Sequence, residues 1–222
     1  MNRKRTAFVT GATQGLGAAL ALRLAQNGHD LAVSGTRLAN LAHTVAALEA
    51  KGARVVPVQL DLRAQDSIEQ AMATVVREFG ELDVLVNNAG VTTRSLAVDT
   101  TREEWQSIID VNLTGTFFMC QQVGRHLTAQ KRAGCIINVS STHGIVGFAQ
   151  RSAYGVSKAG ITHMTRMLAI EWAPHNIRVN AVAPGTVATP SRVAFFGADP
   201  KGFSEMIARV PLARLCRGRW GR

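Results

Sequence analysis

Cysteine is scarce in this sequence, and its spacing excludes two common ways of stabilising a fold. Only three cysteines occur in 222 residues, Cys120, Cys135 and Cys216. An odd number without CxxC spacing indicates neither a disulfide framework nor a zinc site. We therefore expect no metal, and free, mostly buried thiols in a reducing compartment.

Long apolar runs are absent as well. The run "TAFVTGA" behind the basic stretch "NRKR" is too short for a signal-peptide core or a membrane span. The sequence also lacks linkers rich in proline, glycine and serine, and repeats of solenoid period. We expect no membrane partner, a cytoplasmic location and one domain over residues 1–215.

Acidic residues are few, with 15 Asp and Glu against 25 Lys and Arg and a formal charge of +10. Such a charge is common in nucleic-acid-binding proteins. Here the basic residues cluster partly at the two ends of the chain, and no basic helix with interleaved aromatics occurs. We predict no specific nucleic-acid partner, while weak, salt-sensitive binding of polyanions stays open.

Short apolar segments alternate with helix-like segments from residue 5 to about 182. The segments that predict strands are "TAFVT", "DLAVSG", "RVVPVQLD", "LDVLVNNAG", "CIINVSS" and "IRVNAVAPG". Among the helices, one long helix is predicted at about 102–130 and another at about 153–173. Alternation with helices of this length indicates parallel βαβ units in a sheet covered on both faces. We predict a doubly wound, Rossmann-type α/β fold with six mostly parallel strands.

A glycine-rich turn follows the first strand. In "TGATQGLG", Gly11, Gly15 and Gly17 allow a tight turn and a close approach to a pyrophosphate at a helix N-terminus. A purely steric need for glycine is the alternative. The position directly after the first strand favours a bound dinucleotide.

The ends of the next strands bear on which dinucleotide is bound. The second strand ends in "SGTR", which has no carboxylate for the ribose of NAD but offers Arg37 to a 2′-phosphate. NADP(H) is favoured, NAD(H) remains open, and a surface arginine that opens the next helix is the alternative. Asp61 and Leu62 end the third strand and "NNAG" the fourth, where open sheets bind ligands, although asparagines also cap turns.

The only tyrosine of the chain, Tyr154, lies four residues before Lys158 on the same face of a predicted helix. An ammonium beside a phenol stabilises the phenolate, which makes the phenol a usable proton donor near neutral pH. Ser141, at the end of the fifth strand, can hydrogen-bond the same carbonyl oxygen. Beside a hydride carrier, this set predicts ketone reduction or alcohol oxidation. His143 is interpreted as a loop residue, with a substrate contact as the alternative.

These motifs, together with "VNLTG", "NVSS", "YGVSK" and "IRVNAVAPG", resemble the classical short-chain dehydrogenases/reductases over about residues 5–190. The chain is also similar to bacterial 3-oxoacyl-carrier-protein reductases. The resemblance implies an NADP(H)-dependent oxidoreductase that interconverts a carbonyl and a secondary alcohol of a small molecule, as a homotetramer or dimer.

The resemblance also implies the roles of the site residues. Tyr154 is the catalytic acid/base, Lys158 assists it and holds the nicotinamide ribose, Ser141 orients the substrate oxygen, and Asn112 anchors a water of the proton relay. The glycines bind the pyrophosphate, and the strand ends line the adenine and ribose pockets. The complete expected cofactor set is Gly11, Thr13, Gln14, Gly15, Leu16, Gly17, Arg37, Asp61, Leu62, Asn88, Ala89, Gly90, Tyr154, Lys158, Pro184, Gly185, Val187 and Thr189.

The C-terminal part departs from the family pattern. A substrate-covering segment is expected at about 190–210, and "VPLARL" matches the return to the body of the fold. The family continues with a helix and a seventh strand, whereas this chain has an atypical basic tail, residues 216–222. We expect a shortened or frameshifted C-terminus that exposes the sixth strand and impairs assembly. The alternative function is a catalytically weak nucleotide-binding or interaction protein.

Overall fold

The protein is described from a computed structural model that covers residues 3–198 and 200–216. Contacts along the chain divide it into two compact units, Met1–Ala183 and Pro184–Arg222. The first unit contains the sheet and the second contains two short helices. The expected single domain over residues 1–215 stays a prediction.

Six strands form one sheet in the order β3-β2-β1-β4-β5-β6, and every neighbouring pair is parallel. The predicted doubly wound α/β fold is confirmed. The order reverses between β1 and β4, so their carboxyl ends flank the crevice in which such sheets bind ligands. The strands are β1 (Thr6–Val9), β2 (Asp30–Gly35), β3 (Val55–Gln59), β4 (Val84–Asn87), β5 (Gly134–Val139) and β6 (Ile177–Val182).

Helices follow the strands as the alternating pattern predicts. In the first unit they are α1 (Gly15–Gln26), α2 (Ala42–Glu49), α3 (Gln65–Phe79), α4 (Arg102–Ile109), α5 (Gly115–Ala129) and α6 (Ser152–Trp172). Short 3₁₀ turns precede α2 at Leu38–Leu41 and follow β5 at Thr142–Gly144. Among the described residues, no helix is both long enough and apolar enough to span a bilayer.

The long helix predicted at about 102–130 is wrong in one respect. A π-helical segment, Asp110–Thr114, separates α4 from α5, and the N–H of Gly115 donates to the Asp110 carbonyl five residues earlier. The i→i+5 hydrogen bond widens the helix by one residue at this turn, which apolar periodicity does not reveal. Such π segments are frequently found at functional sites.

Apolar side chains cover both faces of the sheet. Successive residues of a strand point to opposite faces, and β1 shows this directly. Phe8 packs with residues of α3 and α5 on one face, while Ala7 and Val9 pack with residues of α1 and α2 on the other. The core therefore fixes the strands from both sides and leaves their carboxyl ends for the site.

In the second unit, α7 (Pro190–Ala198) and α8 (Pro200–Ala208) occupy most of the segment expected to cover the substrate. The rings of Phe196 and Phe203 lie 5.2 Å apart between these helices. Whether the segment covers a substrate stays a prediction. Of the predicted basic tail, residues 217–222 lie outside the described residues. The described residues form no seventh strand, and β6 lies at one edge of the sheet.

The three cysteines are free thiols. Cys120 is buried and Cys135 is half-buried, whereas Cys216 is exposed. The expectation of mostly buried thiols is therefore wrong for Cys216. Burial raises the pKa of the Cys120 thiol to about 12, so this thiol stays protonated at neutral pH.

The start of α5 is packed tightly against the loop after β3. A side-chain carbon at Gly115 would lie 2.3 Å from the Leu62 carbonyl oxygen and 2.6 Å from the Leu62 Cβ. Only glycine allows this approach of the start of α5 to the loop after β3.

We expect Gly115→Ala to lower the free energy of unfolding by about 2 kcal/mol or more, because overpacking outweighs the roughly 1 kcal/mol that alanine gains in a helix. Urea unfolding measures the difference. Gly147→Ala is the control, since no atom beyond the adjacent residues lies within 4 Å of the added carbon. A Gly115→Ala protein as stable as the parent would contradict the close approach.

Candidate functional site

Helix α6 carries the residues predicted for proton transfer. Tyr154 is its third residue and is half-buried, and Lys158 follows one turn later and is 4% exposed. The Lys158 Nζ lies 5.8 Å from the centroid of the Tyr154 ring. The i, i+4 spacing thus places ammonium and phenol on one face of α6.

The Lys158 side chain reaches back to the end of β5. Its Nζ donates a hydrogen bond to the Val139 carbonyl oxygen at 2.8 Å. Burial lowers the pKa of Lys158 from 10.5 to about 8, because the charged form loses hydration. A side-chain carbon at Gly90 would lie 3.5 Å from this Nζ, so glycine leaves room beside the ammonium.

Asn112, in the π-helical segment, is fully buried, and its side chain is occupied by protein atoms. Its Oδ1 accepts from the Val91 N–H at 2.8 Å, and its Nδ2 donates to the Val91 carbonyl at 2.9 Å. The Nδ2 also donates to the Ser157 hydroxyl at 3.0 Å. The side chain therefore joins the loop after β4 to α6.

Ser157 was not predicted from the sequence, although it stands between Tyr154 and Lys158. Its hydroxyl donates to the Tyr154 carbonyl at 2.7 Å and accepts from Asn112. A polar residue three positions after the tyrosine, inside a run of apolar spacing, was the available signal.

Two consecutive serines that follow β5 form hydrogen bonds with different partners. The Ser140 hydroxyl lies 2.8 Å from both the Lys158 carbonyl oxygen and the Thr162 hydroxyl, so it fastens α6 to the strand. The Ser141 hydroxyl accepts the N–H of His143 at 3.2 Å and lies 3.2 Å from the Nδ1 of the same histidine. Ser140 and Thr162 were not singled out from the sequence.

The ring of His143 lies beside the predicted proton donor. Its centroid is 5.9 Å from that of Tyr154 and 5.0 Å from that of Phe148, with edge-to-face geometry in both pairs. Ser141, His143 and Tyr154 therefore form one cluster. A histidine interpreted as a loop residue is placed within it.

The glycine-rich turn has the backbone that its sequence predicts. Gly11 and Gly15 have positive φ values of 65° and 61°. A side-chain carbon at Gly17 would lie 2.2 Å from the Gly11 carbonyl oxygen. In α1, which begins at Gly15, no side chain caps the N-terminus and the first turn has no acid. The backbone N–H groups of the first turn of α1 and the positive end of the helix dipole suit a pyrophosphate.

Thr10 and Asn88 hold this turn through hydrogen bonds. The Thr10 hydroxyl accepts the N–H groups of Asn88 and Ala89, both at 3.1 Å. The Asn88 Nδ2 donates to the carbonyl oxygens of Thr10 and Gly11 at 3.1 and 3.0 Å. The Asn88 side chain thus supports the turn, and Thr10 is a residue that sequence reasoning missed.

Residues on the turn and at the end of β2 lie close to one another. A side-chain carbon at Gly35 would lie 2.6 Å from the Thr13 Cγ2. Gln14 is exposed and Leu16 half-buried at the start of α1. Arg37 is exposed and immediately precedes the 3₁₀ turn Leu38–Leu41. No carboxylate lies between residues 34 and 37.

Asp61 and Leu62 follow β3, and both side chains are engaged by the protein. The Arg63 guanidinium binds the Asp61 carboxylate at 3.0 and 2.7 Å. These hydrogen bonds to Arg63 lower the pKa of Asp61. The Leu62 side chain belongs to the buried core. Because the Leu62 side chain is buried in the core, only its main-chain atoms could line an adenine pocket.

The predicted residues at the nicotinamide end belong to the second unit. Val187 forms an isolated parallel bridge with Cys216. The Thr189 hydroxyl accepts the N–H of Arg192 at 3.3 Å, near the start of α7. Pro184 and Gly185 precede this bridge.

The loops after β4 and β5 are joined by hydrogen bonds close to Tyr154 in the chain. The Arg94 Nε donates to the Gln150 Oε1 at 2.5 Å, and the Arg151 guanidinium donates to the Thr92 hydroxyl and the Thr93 carbonyl. Gln150 has a φ of 62°, a conformation that non-glycine residues rarely adopt.

Comparison with known proteins identifies the family of this chain. The model of the family described as short chain dehydrogenase matches residues 5–198. The chain is 38% identical over 217 residues to the 2-dehydro-3-deoxy-D-gluconate 5-dehydrogenase of Escherichia coli, covering 98% of this chain and 83% of that protein. It is 39% identical over 211 residues to the 3-oxoacyl-(acyl-carrier-protein) reductase FabG of Thermotoga maritima, covering 95% and 84%.

A solved structure of an actinorhodin polyketide ketoreductase variant with NADPH superposes with a TM-score of 0.90. Its sequence is 33% identical, and the match covers 96% of this chain and 85% of that one. The family match, the sequence identities and the shared fold confirm the resemblance seen in the motifs, and the chain belongs to the short-chain dehydrogenase/reductase family.

Proposed function

We propose that this oxidoreductase uses NADP(H) to interconvert a carbonyl and a secondary alcohol, with Tyr154 as the acid/base. The observation that carries the proposal is the Tyr154–Lys158 pair on one face of α6, with the ammonium buried and held by the Val139 carbonyl. Tyr154 is half-buried, so the residue is not closed off from a small molecule.

We infer that the charge of Lys158 supports proton transfer by the Tyr154 phenol. A pKa of about 8 leaves the ammonium mostly protonated at neutral pH. In a buried setting a positive charge near the phenol stabilises the phenolate that forms when the proton leaves. Tyr154 then gives its proton to the carbonyl oxygen during reduction and takes it back during oxidation, and the Ser141 hydroxyl donates a second hydrogen bond to that oxygen.

Asn112 acts in this scheme through position. Its side-chain amide is occupied by Val91 and Ser157, which leaves main-chain atoms for the water of a proton relay. The amide aligns the loop after β4 with α6 and so places Gly90 beside the Lys158 ammonium.

The cofactor is assigned from the turn and from the end of β2. NADPH, when bound, supplies the hydride that reduces the carbonyl carbon. The uncapped N-terminus of α1 suits its pyrophosphate, and the exposed Arg37 can pair with the 2′-phosphate in a segment without acids. The NADPH-containing relative supports this choice. NAD(H) is the competing cofactor.

We also propose a small-molecule substrate, a cytoplasmic location and a homo-oligomer, tetramer or dimer, as in the family. The free thiols fit a reducing compartment. The names of the relatives include a sugar-acid dehydrogenase and a 3-oxoacyl reductase. The first assay is therefore NADPH oxidation with a panel of ketones that contains a keto sugar acid and a 3-oxoacyl thioester.

Tyr154→Phe should lower the turnover number about 10²- to 10⁴-fold, because the proton donor is removed while the ring is kept. NADPH binding, followed by fluorescence, should change by less than about twofold. Ser152→Ala, an exposed position in the same turn of α6, is the control. Equal turnover by Tyr154→Phe and the parent would refute the assigned acid, and cofactor binding without any turnover would favour a binding protein.

Lys158→Met should change how stability depends on pH. Since folding lowers the pKa of Lys158 from 10.5 to about 8, the unfolded chain binds the extra proton between these values, and the stability of the parent rises with pH there. Relative to Lys158→Met, the parent should gain on the order of 3 kcal/mol between pH 7 and pH 10.5. Urea unfolding across this range measures the change.

Lys51→Met, at an exposed lysine, is the matched control for that titration. The pH dependence of Lys158→Met is read against that of this variant. A constant difference for Lys158→Met would show that the ammonium is not desolvated.

Arg37→Ser should raise the KM for NADPH about 10-fold or more, because a charge-assisted pair with the 2′-phosphate is lost. The KM for NADH should change by less than about twofold. Steady-state kinetics with both cofactors test this, with Arg23→Ser, an exposed arginine of α1, as control. Equal effects on the two cofactors would remove Arg37 from the phosphate site.

A further inference from the structure

We propose that His143 is a positioning residue that sets the direction of the Ser141 hydroxyl, so that this hydroxyl donates to the substrate oxygen. The inference rests on the proposed function and adds a residue to it. It starts from the 3.2 Å contact between the His143 Nδ1 and the Ser141 Oγ, beside the ring of Tyr154.

The turn that carries His143 is fixed against α6. A side-chain carbon at Gly144 would lie 2.6 Å from the Lys158 carbonyl carbon and 2.7 Å from the Ala159 nitrogen. A side-chain carbon at Gly155 would lie 3.0 Å from the His143 carbonyl oxygen. The two glycines let the turn and the helix pack backbone to backbone. The imidazole is therefore held in register with Tyr154 and Lys158.

Packing of the ring limits where its nitrogens can point. The imidazole makes edge-to-face contacts with Phe148 and with Tyr154, at 5.0 and 5.9 Å between centroids. Such contacts favour a defined ring orientation. In this orientation Nδ1 faces the Ser141 hydroxyl.

The hydrogen bonds of Ser141 depend on whether the His143 Nδ1 carries a proton. The hydroxyl oxygen already accepts the backbone N–H of His143. If Nδ1 were unprotonated, it would accept the single hydroxyl proton, and a carbonyl substrate would receive none. With a proton on Nδ1, the imidazole donates to the Ser141 oxygen, and the hydroxyl proton is left for the substrate. Because either hydrogen-bond direction fits the observed distance, the tautomer selects the role of Ser141.

Two replacements of His143 distinguish the role of Nδ1 from the packing of the imidazole ring. His143→Phe keeps the edge-to-face packing and removes Nδ1, whereas His143→Asn places an amide donor near the Nδ1 position. We expect His143→Phe to lower the turnover number about 3- to 10-fold, the usual effect of one hydrogen bond, with NADPH binding unchanged. His143→Asn should recover at least half of the parent turnover. His163→Phe, on the exposed side of α6, is the matched control.

A double-mutant cycle with Ser141→Ala tests whether His143 acts through Ser141. In the Ser141→Ala background, His143→Phe should cost less than about twofold. An equal loss in both backgrounds, or no loss in the parent background, would overturn the proposal. If Tyr154→Phe is inactive while His143→Phe is fully active, only this inference fails.

A measurement without turnover gives an independent readout. In protein labelled with ¹⁵N-histidine, the Nδ1 resonance of His143 should report a protonated nitrogen and should shift in Ser141→Ala but not in Ser107→Ala, at an exposed serine of α4. An unprotonated or unshifted Nδ1 would overturn the proposal. In a chain without turnover, a protonated and shifted Nδ1 would support the pair and assign the failure to the proposed function.

Discussion

Two hydrogen bonds join Lys158 to consecutive residues at the carboxyl end of β5, and the geometry of the site depends on them. The Lys158 Nζ donates to the Val139 carbonyl, and the Lys158 carbonyl accepts from the Ser140 hydroxyl, each at 2.8 Å. Because one residue is held by its side chain and by its backbone, α6 can neither slide along the strand nor rotate on it at this point. Tyr154, one turn earlier on α6, is placed by the same bonds.

A polar layer in the interior supports this attachment. The Asn87 Nδ2 donates to the Asn138 Oδ1 at 2.9 Å, and the Asn138 Nδ2 donates to the Thr165 hydroxyl at 3.0 Å, which links β4, β5 and α6 beneath the site. Buried polar groups cost free energy unless they are paired, and paired networks specify one arrangement of the elements they join. The desolvated ammonium of Lys158 adds to this cost. These elements are therefore held together by directional hydrogen bonds as well as by apolar packing.

Much of the fold, and part of the site, could be predicted from the sequence because both follow local spacing. Alternating apolar segments gave the six strands, and the i, i+4 spacing of Tyr154 and Lys158 placed them on one helix face. The π-helical segment could not be predicted, because Asn112 bonds Val91, 21 residues away, and Ser157, 45 residues away. The pairing of Asp61 with a residue two positions later was visible in "DLR", yet the carboxylate was assigned only to the cofactor.

The strained backbone of Gln150 has a consequence for how this protein can change. Its positive φ costs about 1–3 kcal/mol. It persists because Arg94, in the loop after β4, donates to the Gln150 side chain, and Arg151 donates back to Thr92 of that loop. The loops after β4 and β5 are therefore expected to tolerate replacement only when both are changed together. Grafting either loop alone from a relative leaves the hydrogen bonds between the loops unmade. Libraries that vary both loops together should therefore contain more folded members than libraries that vary one.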